Sequence, residues 1–464
     1  MAKTQYRTEK DSMGEIQVPV QALYGAQTER AVRNFTITAQ PLPWTFIEAL
    51  LLIKSAAART NGELGLLPDE YARLIENAIQ ELLTTRPTDQ FPVPIYQTGS
   101  GTSSNMNVNE VIVGLVRQKG VEISANDHVN LGQSSNDVIP SAMHLSAALA
   151  ATTSLLPALG DLAQIIRTVG NAHAEVIKTG RTHLMDALPI RFQAEVEGWA
   201  AQVDECIERI KSALPRLKRL PLGGTAVGSG VNCHPQFAAR AIAHLNTSTG
   251  QSFTQAPSLY KGLSSLDTIV EFSGHLKTGA IALSKIAGDL RWMNSGPLSG
   301  LGEISLPSLQ PGSSIMPAKV NPVIPEAVSM ACAQVLGNDT TINLAGMGGN
   351  FQLNTMMPVA AAKILESLEL LAGSARSLGE KAIKGMTINQ EVYAEALAFN
   401  PILVTSLNPL IGYLRAAEIA KIAQKEKRTI FEVALEHTDI PRQELERLLD
   451  PRTLADGGET KIST

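Results

Sequence analysis

From Val196 the apolar positions Val196, Trp199, Val203, Cys206, Ile210, Leu214 and Leu217 recur at steps of three or four, which places them on one stripe of an α-helix. A second stripe runs Ile269, Phe272, Leu276, Leu283, Ile286, Leu290, Met293, and a third runs Ile364, Leu368, Leu371, Ala375, Leu378, Ala382. Each span is on the order of 30 residues, which predicts helices roughly 45 Å long at 1.5 Å per residue. Helices of that length rarely pack within one small domain, so the pattern predicts a bundle to which several subunits contribute. Smaller caps are expected on either side. The reading is an N-terminal domain over 1–133, a central long-helix domain over 134–388 and a small helical domain over 389–464, the last beginning at the glycine and polar cluster of "KGMTINQE" that breaks the third stripe. The closing stretch "ADGGETKIST" reads as a mobile tail.

Composition narrows the function classes. Only 18% of the 464 residues are charged, which leaves little polar surface for a monomer and makes burial between subunits the expected outlet. A net charge of -5 and 4% aromatic residues supply neither the basic field nor the stacking platforms that nucleic acid requires. The three cysteines, Cys206, Cys233 and Cys332, are far apart, so no disulfide framework or cysteine-ligated cluster is expected. The eight histidines show no metal-ligand spacing such as HExxH. With no apolar leader and no uninterrupted run of 18 apolar residues, the chain is expected to be soluble and cytoplasmic, without membrane or metal.

Four polar stretches each precede a helical pattern: "TGSGTSSNMNVNE" (Thr98 to Glu110), "GQSSNDVIP" (Gly132 to Pro140), "KTGRTHLMDALP" (Lys178 to Pro189) and "LQPGSSIMPAKVNP" (Leu309 to Pro322). A helix N-terminus offers unpaired backbone donors and the positive end of the dipole, and nearby Ser, Thr and Asn side chains add more, so such places bind carboxylates. Any one of them alone reads more readily as an ordinary N-cap. Four in one chain favour a binding site. His183 stands between Thr182 and an expected helix start, where it caps that helix or belongs to the site. "LGGTAVGSG" (Leu222 to Gly230) lacks the dinucleotide and P-loop spacings and reads as a turn-rich connector with close backbone packing.

"GSSIMPAKVNP" is similar to the signature loop of the fumarase/aspartase superfamily, and the other three stretches resemble the remaining motif regions of class II fumarate hydratases. The resemblance extends from "RTEKDSMGEIQVP" through "LRWMNSGPLSGLGEISLP" to "NPLIGY", nearly the whole chain. It implies a mainly α-helical fold whose long helices form a twenty-helix bundle in a homotetramer, with each active site assembled from three subunits. It also implies reversible, metal-independent hydration of fumarate to L-malate through an aci-carboxylate, with no cofactor. Position by position, Ser313 corresponds to the base, Lys319 and Asn321 to carboxylate ligands, His183 to the active-site histidine and Glu326 to its acidic partner. Ser100, Thr102, Ser134, Ser135, Asn136, Thr182 and Ser314 correspond to substrate or water contacts. A secondary anion site would fall on Ser124, Asn126 and Asp127, although Ser124 stands where a histidine is frequent. Ala318 replaces a frequent glycine and leans toward aspartase, whereas "TGSGT" and "QSSND" lean toward fumarase. "RFQAE" and Gln352 also depart from the pattern, without a functional account. An aspartate ammonia-lyase of the same superfamily and a non-catalytic structural tetramer are the alternatives.

Overall fold

The computed structural model describes residues 5–457. Most of the tail read as mobile, 458–464, lies outside the described residues. The fold is mainly α-helical. An opening hairpin, β1 (Tyr6–Asp11) and β2 (Gly14–Pro19), precedes α1 (Ala26–Asn34), α2 (Trp44–Glu63), α3 (Asp69–Thr85), α4 (Thr102–Gln118), α5 (Ser135–Ala150) and α6 (Leu156–Ala172). A second hairpin, β3 (Ile177–Thr182) and β4 (Met185–Arg191), leads into α7 (Phe192–Leu217). Then follow α8 (Phe237–Thr249), α9 (Leu259–Ser264), α10 (Asp267–Met293), α11 (Val323–Gly346) and α12 (Met357–Ser377).

The three apolar stripes lie on α7, α10 and α12 with its continuation to Ile383, and every residue in them is buried. At 26 and 27 residues, α7 and α10 are about 40 Å long, close to the expected span. The chain forms two compact units: Met1–Pro157 with Cys206–Ala280 and Cys332–Ala372, and Ala158–Glu205 with Ile281–Ala331 and Gly373–Thr464. The boundaries fall inside α6, α7, α10, α11 and α12, so these helices carry the chain from one unit into the other.

In the first unit α2 is central. It packs against α3, α5 and α8, burying Phe46, Leu50, Leu51, Ile53 and Ala57. The start of α1 has no side-chain cap of its own. Instead Glu110 of α4 accepts from the backbone N–H groups of Gly25 (3.0 Å), Gln27 (2.9 Å) and Thr28 (3.0 Å) and from the Thr28 hydroxyl (2.6 Å). One carboxylate thereby satisfies the donors that a helix start leaves open. The second unit contains the β3–β4 hairpin and a separate C-terminal core of Leu403, Leu407, Ile419, Val433, Leu445 and Leu448.

Among the described residues, Ser135–Ala172 is long and apolar enough to cross a bilayer by length and composition. It nevertheless buries Asp137 against protein donors and Val138, Ile139 and Leu145 against the core. That is the environment of a core helix.

Glu110→Gln replaces one acceptor oxygen with a donor that faces N–H groups. It is expected to lower stability by about 1–3 kcal/mol, read as a lower thermal midpoint. An unchanged midpoint would show that the α1 donors do not depend on this carboxylate.

Candidate functional site

The first unit supplies hydroxyls at two helix starts. Gly101, the N-cap of α4, has φ 74°, a left-handed conformation that suits glycine, and a Cβ there would meet Ile139 at 2.9 Å. The hydroxyls beside it do not cap the helix. Ser100 Oγ and Thr102 Oγ1 share a hydrogen bond of 2.8 Å, and Thr102 Oγ1 and Ser135 Oγ share one of 2.6 Å. The starts of α4 and α5 therefore meet at a chain of three hydroxyls. Ser134 does cap its helix: its Oγ accepts from Asn136 N, and Asp137 accepts from Ser134 N in return. Asn136 donates through its amide to Ala226 O at 2.8 Å.

Asp137 is fully buried. Its Oδ2 accepts from Gly223 N (2.9 Å) and Thr225 N (3.0 Å), which seats the glycine-rich connector on α5. Burial raises its pKa despite these amides and Lys54, which act in the opposite direction. The connector's turns and close packing agree with the sequence reading: Gly223, Thr225, Gly228 and Gly230 all have positive φ.

The second unit holds His183, Ser313, Lys319, Asn321 and Glu326. The expected helix start after His183 is a hairpin instead. Thr182 pairs with Met185 across a two-residue turn whose members, His183 and Leu184, have φ 58° and 60°. A type I′ turn requires both signs, and its right-handed twist matches the flanking strands. Asn-Gly usually occupies it, so "THLM" carries no turn signal and the residues pay in strain. The tip is exposed, with Leu184 at 64% and Met185 at 69%.

The hairpin is anchored at its base. Buried Lys178 donates to Glu195 Oε2 (2.7 Å) and Glu303 Oε2 (3.0 Å), and Arg181 donates to Glu303 Oε1 (2.5 Å). Asn400 adds a bond to Ala187 O at 2.9 Å. The sequence reading missed Lys178, Arg181 and Glu303 as a group, and only the charged residues in otherwise quiet "KTGRT" and "GLGEISLP" signal them.

The stretch Leu309–Pro322 is a loop before α11. Ser313 Oγ accepts from two backbone N–H groups, those of Ile315 (3.2 Å) and Met316 (3.1 Å). The loop closes on itself through Gly312 N to Lys319 O (2.8 Å) and Asn321 Nδ2 to Gly312 O (2.7 Å). A Cβ on Gly312 would lie 2.5 Å from Lys319 O, so glycine is required there by close backbone approach. Ser314, Ile315 and Lys319 are exposed, and Lys319 makes no ion pair among the described residues. Lys319, Asn321 and Glu326 line a cleft of about 660 Å³ together with Arg291, Trp292 and Asn294. Within one chain His183 and Glu326 do not hydrogen-bond to each other among the described residues.

At the positions expected for a secondary anion site, Ser124 and Asp127 bond to each other. Ser124 donates to Asp127 Oδ2 (2.8 Å) and accepts from Asp127 N (3.1 Å), capping the π-helical turn Ala125–Val129 that contains Asn126.

Residues 14–337 match the family described as Lyase, and residues 403–456 match the one described as Fumarase C C-terminus. The "Fumarate hydratase class II 2" of Pseudomonas aeruginosa is 55% identical over 98% of this chain and 100% of its own length. The "Fumarate hydratase class II" of Mycobacterium tuberculosis is 46% identical over 97% and 96%. The crystal structure of class II fumarase from Schistosoma mansoni matches with a TM-score of 0.92 at 36% identity, covering 97% of this chain and 99% of that one. A fumarate lyase:delta crystallin from Brucella melitensis matches with a TM-score of 0.92 at 40% identity, over 97% and 100%.

Glu303→Gln leaves Lys178 and Arg181 short of a countercharge in a buried place. The variant is expected to lose about 3–5 kcal/mol of stability and to expose the hairpin to tryptic cleavage after Arg181. Parent-like melting and cleavage would show that the hairpin does not rely on this carboxylate.

Proposed function

Because the chain belongs to the class II fumarate hydratase family of lyases, we propose that it catalyses the reversible hydration of fumarate to L-malate, with Ser313 as the base that removes the C3 proton of malate. The observation that carries this assignment is the pair of amides on Ser313 Oγ. A serine hydroxyl is ordinarily too weak a base, and two fixed N–H groups lower the cost of its alkoxide. The electron pair of the broken C–H bond moves into the adjacent carboxylate, which then bears two negative charges as the aci form. Lys319 and Asn321 supply charge and donors to that group. Expulsion of the C2 hydroxyl as water, with proton delivery, completes the elimination. His183, paired with a Glu326 contributed by another copy of the chain in the shared site, orients that water or binds substrate. Ser100, Thr102, Ser134, Ser135, Asn136, Thr182 and Ser314 supply further contacts to the dicarboxylate or the water.

We extend the proposal to a homotetramer with shared active sites. Helix α11 is apolar or small on nearly every side, and Met330, Leu336 and Leu344 stay exposed on it. Such a helix is suited to burial on all faces. The strained, apolar tip at His183–Leu184 is suited to insertion into another copy. The division 1–133, 134–388 and 389–464 belongs to the same reading, since α7, α10, α11 and α12 all fall in the middle span. The three free thiols suit a reducing cytoplasm.

Malate and aspartate, offered separately, both yield fumarate on elimination, so ultraviolet absorbance decides between hydratase and ammonia-lyase. Malate is expected to turn over far faster; equal or reversed preference would overturn the proposal, and inertness toward both would favour a structural tetramer.

Ser313→Ala is expected to lower turnover by about two to four orders of magnitude while leaving succinate binding largely intact. Dissociating and reassociating it with inactive His183→Asn is expected to restore part of the activity in mixed tetramers. No recovery in verified mixed tetramers would place both residues in a site built by one chain.

A further inference from the structure

Lys54 lies in the middle of α2 and has no exposed surface. Its Nζ donates to Asn130 Oδ1 and to Gln133 Oε1, both at 2.9 Å, and it forms no salt bridge among the described residues. Taking an ammonium out of water costs several kcal/mol, and methionine would fill the same space without that cost. The bonds it makes show what the lysine adds. Asn130 Oδ1 also accepts from Asn105 Nδ2 (3.1 Å) and Asn109 Nδ2 (3.2 Å), both in the first turns of α4. Asn130 Nδ2 donates to Gln133 O at 3.2 Å, and Gln133 Nε2 returns to Val129 O (3.1 Å) and Leu131 O (3.3 Å). The next residues are Ser134 and Ser135, the start of α5. At the same two helix starts stands the hydroxyl chain of Ser100, Thr102 and Ser135.

We infer that Lys54 is a positioning residue: its ammonium joins the starts of α4 and α5 through Asn130 and Gln133, holding their hydroxyls as one carboxylate-binding cradle and adding positive charge behind it. This rests on the proposed dicarboxylate site. Burial lowers the lysine pKa to about 7, and the charged group acting on it is Asp137 of α5, which partly offsets that shift. Its other neighbours, Asn105 and Asn109 from α4 and Asn130 and Gln133 from the preceding segment, are neutral. The charge is therefore present below about pH 7 and is lost above it.

The test compares the full-length parent with Lys54→Met, which keeps the volume and removes the donors. Measurements are native mass, thermal midpoint, calorimetric affinity for succinate, and KM and kcat for malate. The assembled, folded variant is expected to bind succinate about tenfold more weakly and to show a similar rise in KM, the effect of losing one charged hydrogen-bond node. kcat is expected to change by less than about threefold, because Ser313 still takes the proton. The affinity ratio of parent to variant is expected to shrink as pH rises through about 7, a response that a lysine of purely structural role would not produce. Parent-like succinate affinity, or affinity lost only in proportion to folded protein, would overturn the inference. If Lys54→Met does not fold, Gln133→Met decides it: weakened binding supports the node, and unchanged binding refutes it. A parent protein that does not turn over malate would refute the hydratase reading alone, since succinate binding still reads the role of Lys54.

Discussion

A charge withdrawn from water must be met by protein donors or acceptors, and in this chain each such meeting fixes a segment that regular secondary structure leaves free. Glu110 collects the open N–H groups of α1. Asp137 collects the amides of Ser134, Gly223 and Thr225, so that α5 and the glycine-rich connector share one geometry. Glu303 takes Lys178 and Arg181 from the hairpin that presents Thr182 and His183. These few ions tie loops to helices and strands where a loop has little apolar surface of its own to bury.

At one hairpin, strain at the tip stands over strong support at the base. His183 and Leu184 hold left-handed backbone angles at an exposed hairpin tip, while the base of the same hairpin is tied by Glu303 and Asn400. A rigid base allows a costly turn at the tip. The loop before α11 is organised in a similar way: Gly312 permits the close approach that aligns two amides on Ser313. In both places the backbone, rather than a large side chain, sets the direction of the side chain in question, His183 or Ser313.

The apolar stripes were legible because helical periodicity is local: a residue's partners on the stripe lie three or four positions away. The polar stretches were legible for a related reason, since helix starts recruit hydroxyls and amides nearby in sequence. The hairpin at His183 was not legible, as "THLM" has none of the Gly, Asn or Asp that usually marks a type I′ turn. Gly312 was visible as a loop residue, but its close contact with Lys319 O spans seven positions and depends on how the loop folds back.

Lys54 shows where the division falls. In "EALLLIKSAAAR" it is one cation inside an apolar run, and no sequence pattern singles it out. Its acceptors, Asn130 and Gln133, lie 76 and 79 positions away. The sequence by itself determined the long helices, the chemistry available at their starts and the family, all of which depend on residues close together in the chain or on whole-chain resemblance. Only the tertiary structure decided which buried ions meet, which turn carries His183 and which amides face Ser313, because each of those is a contact whose geometry is set by packing rather than by neighbours in sequence.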